Sequence, residues 1–191
     1  MAAEEGEGAG RRADGVSEIP VIETERLRLR PRTLDDAEAL YPTMSDAALM
    51  TWWSRAPFTS LDEMREYFVP NEKSAGWRAW AITRHGDDRA IGFLSAGEKR
   101  QGGVTEIGYV LERAAWGSGI AREAVSALIT VLFAEGQRRV FADTDPDNVA
   151  SNRLLESLGF TLEGRLRGEW ETHIGVRDSY IWGLLAAEWK P

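Results

Sequence analysis

"GYVLERAAWGSGIAREA", residues 108–124, decides how the rest of the chain is read. It opens as a strand, with aromatic and β-branched residues together, and closes as a helix. Between the two, Gly117 and Gly119 flank Ser118 where a helix start would ordinarily carry a capping side chain. Glycine there leaves the backbone open, so several N–H groups can face an anion with no side chain in the way. The stretch therefore predicts a strand–turn–helix unit with an anion-binding turn.

Working outward, the residues before it read as an antiparallel meander. "WRAWAIT" and "RAIGFLSAG" are strands joined by the hairpin signal "RHGDD", and "TEIGYVLE" follows the "RQGG" turn, covering 77 to 112. After the turn, Ile120, Ala124, Val125, Leu128, Ile129, Leu132 and Phe133 form a helical stripe ended by Gly136. "RVFAD" is a short buried-type strand. "NVASNRLLESLG" is a helix with Asn148 as cap, and "FTLEGRLRG" and "RDSYIWGLLA" are closing strands with "ETHIGVRD" between them. Upstream, "ETERLRLRPR" alternates at Leu27 and Leu29 and stops at Pro31. Thr33 then caps one helix through a capping box with Asp36, and Ser60 caps a second through Glu63. The order β-αα-βββ-α-β-α-ββ predicts an α/β (α+β) fold, one domain over 19–191 with a mixed, mostly antiparallel sheet flanked by helices.

Composition narrows the function. No run approaches the ~20 apolar residues of a membrane span, and no signal-peptide centre is present, so a cytoplasmic protein without membrane contact is expected. With no cysteine, disulfides and thiolate nucleophiles are excluded, and no metal is expected. Residues 1–18 hold five acids and two arginines in a Gly/Ala/Glu context, which reads as a disordered tail. The net charge of −8 argues against nucleic-acid binding, which needs a basic face. A homodimer is one assembly compatible with these features.

Two ligands suit the glycine turn. A dinucleotide fingerprint would need a third glycine where Arg122 stands, and a strand running almost directly into Gly117. The other is the pyrophosphate of coenzyme A. Here the residues carry a resemblance: "GYVLERAAWGSGIAREA" followed by "DPDNVASNRLLESLGF" (145–160) is similar to the GNAT family of acyl-CoA-dependent N-acetyltransferases, most of all its RimJ/RimL-type branch. The resemblance covers roughly residues 21 to 189. The family signature Q/R-x-x-G-x-G/A runs here through Trp116, Gly119 and Ala121, with tryptophan in the first place.

That resemblance implies acetyl-CoA as co-substrate and direct attack by an amine in a ternary complex. It implies that the backbone of Trp116, Gly117, Ser118, Gly119, Ile120 and Ala121 holds the pyrophosphate, and that Tyr109, Val110 and Leu111 pair with the pantetheine through their backbone. Asn148 is either a helix cap or a pantetheine contact. Glu106 is the expected base, its alternative an exposed cross-strand pair. The tyrosine that many family members use to protonate the thiolate is replaced by Leu155, and Ser151, one turn earlier, is the expected donor to the sulfur. Trp52, Trp53 and Arg55, in the loop between the first two helices, and His173, between the last strands, would border the acceptor. Asp178 matches an acid of the branch and is either structural or acceptor-facing.

The acceptor is expected to be a primary amine, a protein N-terminus or a small molecule. An α-amine with pKa near 8 is already ~10–20% neutral at pH 7, against ~0.04% for a lysine, so a modest base suffices for the first. Two rival readings follow from the same residues: a non-catalytic acyl-CoA sensor, suggested by Leu155 and Trp116, and, more distantly, a nicotinamide-dependent oxidoreductase.

Overall fold

The computed structural model describes residues 19–71, 75–99 and 102–191. The acidic tail 1–18 and part of the "RQGG" turn lie outside the described residues. The chain runs β1 (Ile22–Glu23), β2 (Leu27–Pro31), α1 (Asp36–Met44), α2 (Leu61–Phe68), β3 (Trp77–Arg84), β4 (Asp87–Glu98) and β5 (Val104–Leu111). It continues through α3 (Ile120–Ala134), β6 (Arg139–Thr144), α4 (Val149–Ser157), β7 (Thr161–Thr172) and β8 (Gly175–Leu185). The eight strands form one sheet in the order β1-β2-β3-β4-β5-β6-β8-β7. Every neighbouring pair is antiparallel except β5–β6.

Strand alternation assigns the two faces. Leu27, Leu29, Trp80, Ile82, Leu94, Ile107 and Leu111 point to the side covered by α3 and by Leu155 and Leu158 of α4. On α3 the stripe Ile120, Ala124, Val125, Leu128, Ile129 and Leu132 is fully buried there. Each such Leu, Ile or Val contributes roughly 1.5–3 kcal/mol by leaving water. The opposite face, with Ala81, Ala90, Phe93 and Val110, is covered by Ala37, Leu40 and Met44 of α1 and Met64 and Phe68 of α2. Among the described residues no helix is long and apolar enough to cross a membrane.

Three expectations need correction. A short strand, β1, precedes the first expected one and pairs with it, Ile22 opposite Leu29. Only half of the Thr33 capping box forms: the Thr33 N–H donates to the Asp36 carboxylate (2.7 Å), but helix α1 begins at Asp36 and the Thr33 hydroxyl also donates to it. Arg30 takes both oxygens of that nearly buried carboxylate, at 2.9 and 2.7 Å. Burial alone would raise Asp36, but the bonds from Arg30 and Thr33 hold it below the ordinary range. Third, the segment read as a loop between the last strands is ladder. β7 and β8 run on until Thr172 faces Gly175, and the chain turns at His173–Ile174. Those added residues stand out from the body and are largely exposed on both faces, so no apolar alternation marks them as strand.

Candidate active site at the strand splay

The parallel contact between β5 and β6 lasts for three residue pairs only, Val104–Arg139, Thr105–Val140 and Glu106–Phe141. Beyond it the strands part. Residues 108–111 keep their β4 partners, Gly108 on Ser95 through Leu111 on Gly92, while Ala142 to Thr144 pair with β8 alone. A wedge therefore opens in the middle of the sheet, with one bare backbone edge on β5.

At the mouth of the wedge stands the glycine turn. Gly117 and Gly119 have φ of +70° and +80°, the left-handed region that side chains disfavour, and Gly119 is the N-cap of α3. A Cβ at Gly117 would meet nothing within 4 Å, so the turn faces open space. The helix ladder starts when the Glu123 N–H donates to the Gly119 carbonyl (3.0 Å); the first N–H groups of α3 lie at the positive end of the helix dipole, while the Trp116 N–H is already given to the Arg113 carbonyl (3.1 Å). The turn is braced from below. Trp116 Nε1 donates to the Leu111 carbonyl (2.8 Å), and the Ser118 hydroxyl to that of Ala115 (2.6 Å). Arg26 Nη1 donates to the Ser118 carbonyl (2.8 Å), and the same arginine pairs with Glu123.

The opposite wall is the start of α4. Asn148 is its cap, its side-chain oxygen accepting from the Ser151 N–H at 3.2 Å. Asn152 fixes the helix from beneath: it accepts from Thr144 Oγ1 (2.6 Å) and Trp182 Nε1 (3.0 Å), and donates to the carbonyls of Asp145 and Pro146. Leu155 is wholly buried in the core.

Where the wedge closes sits Glu106. Burial raises its carboxyl above the ordinary value, the Lys99 ammonium 3.5 Å away opposes this, and the Asp143 charge adds to the rise. Asp143 is held by neutral donors, Ser179 Oγ and Trp170 Nε1, so its charge is not neutralised by a cation there. Tyr109, on the α3/α4 side of β5, has its phenol oxygen sealed from solvent with no hydrogen-bond partner.

The residues expected to border the acceptor separate into two groups. Trp52 is exposed, with the Arg177 guanidinium 5.5 Å from its ring centre, so the α1–α2 loop meets β8 there. Arg177 is itself held by Asp145 and Asp147. His173 is exposed at the tip of the β7–β8 hairpin. Trp53 instead packs edge-on against Phe93, 5.9 Å between centroids. Arg55 is spent on Glu63 (2.6 Å) and on the face of Phe58 (3.5 Å). Asp178 is a structural staple: it accepts from Arg165 Nε (2.7 Å) and the Gly168 N–H (2.8 Å), where the β7–β8 register shifts. Lys99, Asn152 and the Arg26–Glu123 pair shape the site although no sequence pattern singled them out, and Asp143, which the sequence offered only as the ribose-binding acid of a dinucleotide fingerprint, stands beside Glu106 instead. Each acts through a contact between elements that only the folded arrangement reveals.

A mostly antiparallel sheet parted at its one parallel seam, with a glycine turn at the mouth, is the architecture of an acyl-CoA-dependent transferase. The family model for the acetyltransferase (GNAT) domain matches residues 26–161, and the chain belongs to that family of acetyl-CoA-dependent N-acetyltransferases. Among its relatives is the "Uncharacterized N-acetyltransferase p20" of Bacillus licheniformis, 34% identical over 176 residues, covering 90% of this chain and 99% of that one. A GNAT-family acetyltransferase of Bacillus anthracis superposes with a TM-score of 0.79 at 25% identity, covering 88% and 100% of the two chains. RimL, a ribosomal L7/L12 alpha-N-protein acetyltransferase solved in complex with coenzyme A, shares the fold with a TM-score of 0.76 at 24% identity, over 87% and 98%.

Proposed function

We propose that this protein transfers acetyl from acetyl-CoA to a primary amine, a protein N-terminus or a small-molecule amine, by direct attack in a ternary complex. The observation that carries this reading is Glu106: a carboxylate of raised proton affinity, placed where the wedge closes, between Lys99 and Asp143. The residues present fit the co-substrate. The turn at Gly117 has room for a phosphate, a Cβ at Gly119 would come against the Arg26 guanidinium at 3.4 Å, and the sealed Tyr109 hydroxyl lacks a partner.

The backbone from Trp116 to Ala121 would hold the pyrophosphate at the N-terminus of α3, each favourable charge contact contributing on the order of 1 kcal/mol. The bare edge of β5 at Tyr109, Val110 and Leu111 would pair with the pantetheine as a strand would. Bound there, acetyl-CoA supplies an acetyl group activated as a thioester. Glu106 takes the proton that the amine sheds as its nitrogen bonds to the acetyl carbon and the C–S bond breaks. Its raised pKa suits this work, since a carboxylate of ordinary strength is a poorer base. Ser151 donates a hydrogen bond to the sulfur as negative charge builds there. Asn148, already occupied by the Ser151 N–H, serves this arrangement as the cap that fixes Ser151. Trp52 and His173 line the acceptor's approach. Asp143, together with Asp145 and Asp147 whose two charges Arg177 offsets only in part, gives that side negative charge that suits an amine before it loses its proton.

The test is a panel of amines and N-terminal peptides, with thiol release followed optically and products identified by mass spectrometry. Glu106→Gln should bind acetyl-CoA as the parent does and lose ~10²–10⁴-fold in turnover at pH 7, the deficit shrinking at higher pH as the amine loses its proton unaided. Binding of acetyl-CoA with no thiol release across the panel would support the sensor reading instead. A Glu106→Gln enzyme within a few-fold of the parent would remove Glu106 from the chemistry.

A further inference from the structure

Among the described residues, the phenol oxygen of Tyr109 is the only buried side-chain nitrogen or oxygen without a hydrogen-bond partner. That is an expensive state: a sealed hydroxyl forfeits its bonds to water and regains nothing. The ring packs against the apolar core on the α3/α4 side of the sheet. The Ser151 side chain lies near enough to ease the phenol's ionisation slightly, against the dominant effect of burial, yet the two hydroxyls close no hydrogen bond. Ser151 spends its backbone N–H on the Asn148 cap, so its hydroxyl is the part left facing Tyr109.

We infer that Tyr109 and Ser151 form a two-hydroxyl relay for the departing sulfur, Tyr109 donating to Ser151 and Ser151 donating to the sulfur. This rests on the acetyl-CoA reading and extends it: Tyr109 acts through its side chain as a positioning residue, beyond any backbone pairing along β5. A hydroxyl that accepts one hydrogen bond becomes a stronger donor of the next, so a bond from Tyr109 to Ser151 strengthens the one from Ser151 to the sulfur. Burial pushes the phenol up to about 12, well above a thiol near ~8.5, so a thiolate cannot strip it. Both hydroxyls therefore keep their protons, and the pair stabilises charge on sulfur by hydrogen bonding alone. It also supplies a donor where Leu155 replaces the one common in the family: Ser151 reaches the sulfur from the same helix, backed by Tyr109 from β5.

The relay gives Tyr109→Phe an unusual signature. Without coenzyme the variant should melt higher than the parent, by about 2–6 °C, because it sheds a sealed hydroxyl that bonds to nothing. In saturating coenzyme A that advantage should vanish or reverse, since the parent's hydroxyl is then paired, and calorimetry should show coenzyme A binding weakened about three- to tenfold. In turnover, kcat should fall about three- to tenfold with the KM of the amine within twofold, and the same substitution made in Ser151→Ala should change kcat by less than twofold. A Tyr109→Phe protein that melts lower without coenzyme and binds coenzyme A as the parent does would overturn the relay and leave the acetyl-CoA reading intact. So would a full loss of kcat from Tyr109→Phe in the Ser151→Ala background. A parent protein that coenzyme A does not stabilise would overturn both.

Discussion

Glu123 is one turn into α3, and its carboxylate gathers the start of the sheet under the glycine turn. It accepts from Thr24 Oγ1 (2.6 Å), the Arg26 N–H (2.9 Å) and Arg26 Nε (2.6 Å), and pairs with Arg26 Nη2 at 2.6 Å. Its side chain is 17% exposed, that of Arg26 44%. Charge-assisted bonds of this kind contribute ~1.5–3 kcal/mol each when shielded, but the exposed guanidinium must be discounted for solvent screening. The cluster as a whole then contributes about 2–3 kcal/mol. Glu123→Ala should lower the melting temperature by about 4–10 °C for a domain of this size. Glu123→Gln, which can still accept from Thr24 and the Arg26 N–H, should lose about half as much. The pH dependence has a definite sign. Burial alone would raise the Glu123 carboxyl, but the bonds from Thr24 and Arg26 outweigh it and hold it below its ordinary 4.5. A depressed carboxyl stabilises above the unfolded value and stops doing so as pH falls through the folded one, so the gap between parent and variant should be full at pH 7 and close in acid. Acetyl-CoA affinity should fall several-fold as well, because Arg26 ceases to be held against the Ser118 carbonyl. Differential scanning calorimetry across pH is the assay. A Glu123→Ala protein melting within 1 °C or so of the parent at pH 7 would refute the reasoning, because every contact named above would then be energetically silent.

Two other perturbations have calculable directions. Lys99 favours the ionised form of Glu106 and Asp143 disfavours it, so Lys99→Met should move the acid limb of the kcat profile to higher pH and Asp143→Asn to lower pH; limbs that stay fixed, or move together, would contradict the assignment. Leu155→Ala should cost about 2–5 kcal/mol in urea unfolding, and Leu155→Tyr should also destabilise, because a ring overfills a site with no exposed surface; a stable, more active Leu155→Tyr enzyme would show that the wedge has room there after all.

Much of this architecture is legible in the chain. The periodicity of α3, the glycine turn and the meander all depend on neighbours in sequence, and the structure follows them closely. The Ser60 cap is likewise local, its hydroxyl accepting from the Glu63 N–H at 3.1 Å. What escapes a sequence reading is contact between side chains that no helical or strand spacing relates, whether they lie a few residues apart or far apart in the chain. Thr33 and Asp36 look like a complete capping box until Arg30 claims the carboxylate. Arg55 looks available to an acceptor until Glu63 and Phe58 are brought to it. The outer part of the β7–β8 hairpin has no buried face, and so offers none of the alternation by which strands announce themselves. The Tyr109 hydroxyl is the extreme case, since the lack of a partner can be recognised only when everything around it is in place.

The three-pair seam between β5 and β6 has a mechanical consequence. It divides the sheet into two antiparallel blocks, β1 to β5 and β6-β8-β7, each continuously hydrogen-bonded within itself. This parallel joint is short, and further links reinforce it. They include the bond from Thr105 to Gln137 (2.8 Å) and those of Arg138 and Arg139 to the Gly103 carbonyl. Beneath the seam one core, with Trp80 and Leu94 from the first block and Val140 and Trp182 from the second, packs the two together, so hydrogen bonding divides the sheet where side-chain packing does not. Amide hydrogens of Val140 to Thr144 should therefore exchange together with β8, as one unit distinct from β3 and β4. Anything lodged in the wedge that bonds to both blocks would merge the two units into one.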